Sequence, residues 1–267
     1  MRITIHPGFH KTGTSSLQKG LVALSEPLAP HLRFALLPDM LELVRAARRF
    51  SRSPSAQHLN TFGKHMATWI AKQDQNDPRP LVISAEDLSG HTPGKFEITD
   101  YSAAPKLMQA AVSALRVANP KVDIDVWFTT RDPEPWLRSV YYQLLRATRM
   151  TDGLNCFAKA HQKAAALDRV VEQTEDLLGN VATTGATRLE VLEDTPLGPL
   201  GALLERLGID DTELPPIQAQ NVQPTTAAKE LLALNRSNLS DEELAAAKRK
   251  VIRGYMRRGD TKRTVVA

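Results

Sequence analysis

One short stretch limits the folds open to this chain. Arg2 to His6 reads as a strand, the loop Gly8-Phe9-His10-Lys11-Thr12-Gly13-Thr14 follows at once, and Leu17, Leu21 and Leu24 then recur at helical spacing. A strand that passes through a tight glycine-containing turn into a helix opens a βα unit, and the strand after such a crossover returns parallel. The remaining chain keeps this alternation. A weaker strand is expected over His31 to Leu37, helices around Met40 to Phe50 and Ala56 to Lys72, and a buried strand at Leu81 to Ser84. Turn composition over residues 89–100 leads into a helix from Ala104 to Ala118, ended by Asn119-Pro120. The β-branched and aromatic run Val122 to Thr129 is a further strand, after which Asp132 caps a helix that has Pro133 in its first position and runs to about Arg149. A helix from about Cys156 to Leu178, a last strand at Thr187 to Leu192 and a helix from Leu197 to Leu207 complete the pattern. The expected fold class is α/β: a central, mostly parallel sheet flanked by helices, with a helical C-terminal part.

At 267 residues such a fold buries most of its unfolded surface within a single domain, 1–267, of which 215–267 is a helical, basic extension. Cys156 is the single cysteine and cannot form an internal bridge, and the apolar runs are too short to span a bilayer. The start MRITIHPGFHKTG lacks the apolar stretch of a secretory signal, so the first residues are expected to be structure and the protein cytoplasmic. Charge is uneven. Residues 248–263 hold eight Lys or Arg against one Asp, and removing them from the chain's 34 basic and 30 acidic residues leaves 26 against 29. With one Tyr and little other aromatic content, that tail reads as a solvated helix end, and no nucleic-acid partner is expected.

The first loop is built to hold an anion. Gly8 and Gly13 let the backbone turn close to a phosphate, the following helix start points its amides and positive dipole end at it, Thr14, Ser15 and Ser16 add hydroxyls, and Lys11 adds a point charge. It is not a Walker A loop, because Thr14, not lysine, follows the second glycine. A second constellation follows the strand VDIDVWFTT, which delivers Arg131 at its carboxyl end, where open α/β sheets place ligand-binding residues; Ser139 comes eight residues later.

HPGFHKTGTSSLQ and RDPEPWLRS together resemble the sulfotransferases that use 3′-phosphoadenosine 5′-phosphosulfate, and the first motif looks like their bacterial carbohydrate-type branch. The resemblance covers roughly the first 150 residues and fades past Leu192. It implies a P-loop-like sulfotransferase fold and that donor, with no metal. It also implies that Lys11 acts on the oxygen bridging sulfur and phosphorus, that Gly8, Thr12, Gly13, Thr14, Ser15 and Ser16 cradle the 5′-phosphate, and that Arg131 and Ser139 hold the 3′-phosphate. Arg257-Arg258-Gly259-Asp260-Thr261-Lys262 partly resembles the family's basic C-terminal segment but lacks its tryptophan.

Sulfuryl transfer to an alcohol needs a proton acceptor. Glu86 follows the apolar strand and would share a sheet edge with Lys11 and Arg131; His10 and His91 are its rivals. No His, Cys or carboxylate spacing indicates a metal site. Trp136, Tyr141, Tyr142 and Leu144 line either the acceptor site or the core. The expectation is a sulfotransferase acting on a hydroxyl or amine of a sugar-containing or other small polar acceptor. The alternatives are a P-loop phosphotransferase, or a nucleotide-binding module without catalysis.

Overall fold

A computed structural model describes residues 1–192, 194–217 and 225–257. Five strands form one sheet: β1 (Arg2–His6), β2 (Arg33–Ala35), β3 (Leu81–Ser84), β4 (Asp123–Thr130) and β5 (Thr183–Arg188). Their order across the sheet is β2-β3-β1-β4-β5, and every pairing is parallel. β1 is central, with Ile5 opposite Ile83 on one side and Val126 on the other. The chain moves outward from β1 in one direction, returns, and then continues on the other side. The carboxyl ends of β1, β3 and β4 therefore meet where strand order reverses, the crevice in which sheets of this kind bind ligands.

Strand periodicity sorts residues between two cores. Ile3, Ile5, Ile83, Ile124, Val126 and Phe128 join the larger one, made with α3 (Leu41–Arg52), α4 (Ala56–Ile70), α5 (Ala104–Ala118) and α8 (Leu167–Leu178). Val82 and Trp127 face the smaller one, made with Leu17 and Leu21 of α1 (Thr14–Ala23), the short α2 (Ser25–Leu28) and α9 (Pro199–Leu207). Asp125, 4% exposed, receives both Nε and Nη2 of Arg206 at 2.6 Å, which ties α9 to the sheet. α6 (Pro133–Ala147) leaves β4, and α7 (Leu154–Ala160) follows it; α10 (Ala228–Asn235) and α11 (Asp241–Arg257) end the described chain.

Several expectations need correcting. The last strand is Thr183–Arg188, and Leu189–Leu192 is a 3-10 turn. The strand TTGATR is polar because it is a half-exposed edge, paired with β4 alone. The helix from Cys156 to Leu178 is two helices, interrupted where buried Ala164 and Ala165 turn the chain into the core. The second strand spans only Arg33–Ala35. Asp132 precedes α6, with Pro133 in the first turn, yet its carboxylate makes no cap hydrogen bond and accepts from Arg188 Nη1 at 3.4 Å instead. Among the described residues no helix is long and apolar enough to cross a membrane.

Candidate active site

The loop after β1 is held from beneath by polar groups inside the sheet. His6 is fully buried, its Nδ1 lies 3.0 Å from Ser84 Oγ and its Nε2 3.1 Å from Thr129 Oγ1, so one ring bridges β3, β1 and β4. Burial lowers the pKa of this histidine to about 3, and it stays neutral. Thr129 Oγ1 in turn lies 3.0 Å from Thr12 Oγ1, which donates to the Phe9 carbonyl at 2.8 Å. The Thr12 hydroxyl therefore faces the protein, and Thr12 is left its backbone amide for an anion. Phe9 is fully buried and stacks on Phe128 at 5.1 Å, which plants the middle of the loop in the core.

Gly8 and Gly13 both have positive φ, at 56° and 97°. A Cβ at Gly8 would collide with Thr14 Oγ1, and one at Gly13 would lie 2.8 Å from Leu189 Cδ1. Lys11 also adopts φ 71°, a left-handed conformation that side chains rarely take and that clusters at functional sites. Gly13 leads into α1, so the amides of Thr14, Ser15 and Ser16 form its first turn. Thr14 is buried, Ser16 half-buried and Ser15 exposed.

Lys11 faces a mixed field. Burial lowers its pKa to about 8, Glu86 opposes that shift, and Arg131 and Arg146 add to it. Glu86, Arg131 and Arg146 thus all act electrostatically on Lys11. Arg131 donates from Nη1 to the Lys11 carbonyl at 3.4 Å, and its Nε lies 3.7 Å from Glu190 Oε1. Ser139 is half-buried on α6, two turns beyond Arg131.

Glu86 opens the 3-10 turn Glu86–Ser89 directly after β3. Ligand atoms of His10, Glu86 and Asp87 lie within 4.8 Å of one another. Both Asp87 oxygens, however, accept from Arg48, Oδ1 from Nε at 2.8 Å and Oδ2 from Nη2 at 2.7 Å. Asp87 is 4% exposed. Burial pushes its pKa up, but hydrogen bonds from His10 and Arg48 outweigh that and hold it at about 2. A carboxylate so engaged belongs to an ion-pair network, and the group is a poor cation cage.

The three candidate bases now separate. His10 is 5% exposed, and both ring nitrogens have partners: Nδ1 lies 3.1 Å from Tyr101 Oη, and Nε2 3.5 Å from Asp87 Oδ1. Its backbone N–H donates to the same Tyr101 oxygen at 3.1 Å, and its carbonyl accepts from Trp136 Nε1 at 2.9 Å. Tyr101 Oη thus meets both the backbone N–H and the ring of His10, and burial keeps the phenol protonated. His10 fastens the loop and has no nitrogen left for an acceptor. His91 is half-buried, with its ring 4.7 Å from Phe96, and burial followed by Arg48 lowers its pKa to about 4. So weak a base is poorly matched to neutral pH. Glu86 is half-buried and acts electrostatically on Lys11.

Sequence reasoning missed Asp87, Arg48, Tyr101, His6 and Arg146. The positive φ of Lys11 had no sequence signal, whereas an aromatic residue inside a glycine loop, Phe9, was a legible sign of anchoring. Trp136, Tyr142 and Leu144 are core residues, and Tyr141 is buried with its hydroxyl donating to the Asp152 carbonyl at 2.9 Å. Arg258 to Lys262 lie outside the described residues. Cavities of about 350 and 360 Å³ open at the amino ends of β4 and β5, the far end of the sheet from this loop.

Comparison with solved structures aligns 94% of the chain with 95% of a sulfotransferase from Alicyclobacillus acidocaldarius, at 15% identity and a TM-score of 0.44. No protein-family model and no curated protein matches the chain.

Proposed function

We propose that the chain is a sulfotransferase that moves a sulfuryl group from 3′-phosphoadenosine 5′-phosphosulfate to a hydroxyl or amine of a sugar-containing or other small polar acceptor. The observation that carries this reading is the meeting of Lys11, Glu86 and Arg131 at the carboxyl ends of three adjacent strands, around a loop whose backbone turns as an anion cradle does.

The chemistry follows from the placement. The acceptor oxygen or nitrogen attacks sulfur, the bond from sulfur to the bridging oxygen breaks, and its electron pair stays on the phosphate. Lys11 faces the charge that grows on that oxygen, an interaction stronger in the transition state than in the ground state. Glu86 accepts the proton released by the acceptor. The amides of Gly13, Thr14 and Ser15 with the Ser16 hydroxyl bind the 5′-phosphate, Arg131 and Ser139 the 3′-phosphate, and His10, clasped by Asp87, Tyr101 and Trp136, keeps the loop in shape. No step calls on a metal.

The test is a thermal-shift comparison of adenosine 3′,5′-bisphosphate with ATP, ADP and NAD, because a ligand stabilises the state it binds by mass action. The bisphosphate alone is expected to raise Tm by several degrees. A shift with ATP and Mg²⁺ but not with the bisphosphate would replace this reading by a phosphotransferase.

A further inference from the structure

The corner at which β4 and β5 end carries a carboxylate that the proposed chemistry does not use. The two strands stay paired up to Thr130 and Arg188, so the residues next in line leave the sheet side by side: Arg131 and Asp132 toward α6, Leu189 and Glu190 into the turn Leu189–Leu192. Glu190 Oε1 accepts the Asp132 N–H at 3.2 Å and lies 3.7 Å from Arg131 Nε. Both side chains are largely covered, with 23% of Arg131 and 30% of Glu190 exposed. Their charges are therefore less screened than those of a pair on the open surface.

Local sequence explains why a carboxylate from another element takes this place. Asp132 is the N-cap of α6, and in a capping box the N-cap N–H is satisfied by a Glu or Gln three residues on. Here that position is Pro135, whose side chain cannot accept, and the Asp132 carboxylate itself accepts from Arg188 Nη1 at 3.4 Å. Glu190 fills the role from the turn after β5 and sets a negative charge at the positive end of the helix dipole. The same turn braces the loop after β1, since a Cβ on Gly13 would lie 2.8 Å from Leu189 Cδ1. Glu190 Oε2 is buried without a hydrogen bond among the described residues, and costs of that kind concentrate at functional sites.

A guanidinium serves a phosphate well only when its planar fork is aimed. Arg131 Nη1 donates to the Lys11 carbonyl at 3.4 Å, a long bond that restrains the fork weakly, and Nε faces Glu190. We propose that Glu190 is a positioning residue for the donor's 3′-phosphate: it holds the Nε side of Arg131 and the start of α6 in one place, so that the guanidinium and Ser139 on the helix converge on the same group. The inference rests on the proposed function. A carboxylate this close to a phosphate repels it, so the two roles open to Glu190 differ in sign. As a bystander its charge weakens the 3′-phosphate contact, and removing that charge tightens binding; as the holder of Arg131, its removal loosens binding.

The test is calorimetric titration of adenosine 3′,5′-bisphosphate and adenosine 5′-phosphate into the full chain and its variants. Glu190→Gln keeps an oxygen for the Asp132 N–H and removes the charge. It is expected to weaken the bisphosphate at least fivefold more than adenosine 5′-phosphate, which has no 3′-phosphate for Arg131 to meet. In the Arg131→Ala background, Glu190→Gln is expected to weaken the bisphosphate no further, because a residue that acts through Arg131 then has nothing to position. A smaller difference between the two ligands in Glu190→Gln overturns the proposal, whether binding is unchanged, tighter or equally weakened for both. A loss that persists without Arg131 overturns it too, by making the effect one of the fold at large. If the unaltered protein binds no bisphosphate, the sulfotransferase reading fails and this inference with it; bisphosphate binding without the Glu190 effect defeats the inference alone.

Discussion

Lys11 is the cation closest to the proposed chemistry, and its position is costly to maintain. Burial brings its pKa from 10.5 to about 8, which at 1.36 kcal/mol per pH unit is about 3 kcal/mol against the charged form. The folded chain therefore binds fewer protons than the unfolded one between pH 8 and 10.5. This lysine's contribution to stability rises with pH across that window, and the cost is fully present below it. A donor phosphate beside the ammonium reverses the balance, so binding adenosine 3′,5′-bisphosphate should take up protons near pH 9 and none near pH 6.5. Calorimetry in buffers of different ionisation enthalpy measures this, and uptake that is equal at both values would remove Lys11 from the phosphate site. For the same reason kcat/KM for the donor should fall as pH rises through about 8. Lys11→Ala should lower kcat by about two to three orders of magnitude with the fold intact. The place of Lys11, in a turn between a strand and a helix, was legible from the two glycines that flank it. The clasp on its neighbour was not, since Arg48, Asp87 and Tyr101 come from three separate segments with no spacing to relate them, and only the folded chain brings them to His10.

At the scale of elements, the proposed function requires the loop and the start of α6 to keep their mutual geometry. Gly8→Ala places a methyl group where Thr14 Oγ1 sits, in a backbone conformation with φ 56°. It should destabilise the protein by about 1–3 kcal/mol and, because Thr14 opens α1, weaken bisphosphate binding more than tenfold. Urea unfolding and titration read the two effects independently; intact affinity would mean that the loop does not form the cradle. Arg131→Ala should weaken adenosine 3′,5′-bisphosphate by roughly 2–5 kcal/mol and adenosine 5′-phosphate far less, since the latter lacks the group that Arg131 would hold. Equal losses for both would refute that role. Buried strands were readable, Leu81–Ser84 as an apolar run and Asp123–Thr130 from its β-branched and aromatic residues. β5 was displaced in the reading because an edge strand of Thr, Gly and Ala carries little hydrophobic signal, and the apolar residues just beyond it, Leu189 to Leu192, belong to a turn.

At the scale of the whole molecule, the basic C-terminal segment is integrated further than its composition implied. Lys248 is 6% exposed and donates to the Thr148 carbonyl at 2.7 Å, so a lysine of the tail closes the end of α6. Asn235 donates to the Leu145 and Met150 carbonyls at 3.2 and 2.8 Å, and Arg149 bonds the carbonyls of Ser237 and Leu239. Val251, Ile252 and Tyr255 pack on the larger core, and the Tyr255 hydroxyl donates to Glu230 at 2.6 Å. Arg253 by contrast is exposed and turns back to the carbonyl of Arg249. The segment thus combines an apolar, structural face with a solvated cationic one, a division that net charge alone could not reveal. Truncation after Lys250 strips three half-buried side chains from the core, and at about 25 cal/mol per Å² of apolar surface this should cost roughly 2–4 kcal/mol and lower Tm by about 5–10 °C. The double variant Arg253→Gln, Arg257→Gln removes charge but no packing, so its Tm should match that of the unaltered protein. Its affinity for adenosine 3′,5′-bisphosphate should also be unchanged at low and at raised salt, because both arginines are exposed and exposed charges act over about one Debye length. A loss of affinity in the double variant that fades as salt rises would instead give the cationic face a part in holding the donor, and Arg131 and Ser139 would then share the 3′-phosphate with it.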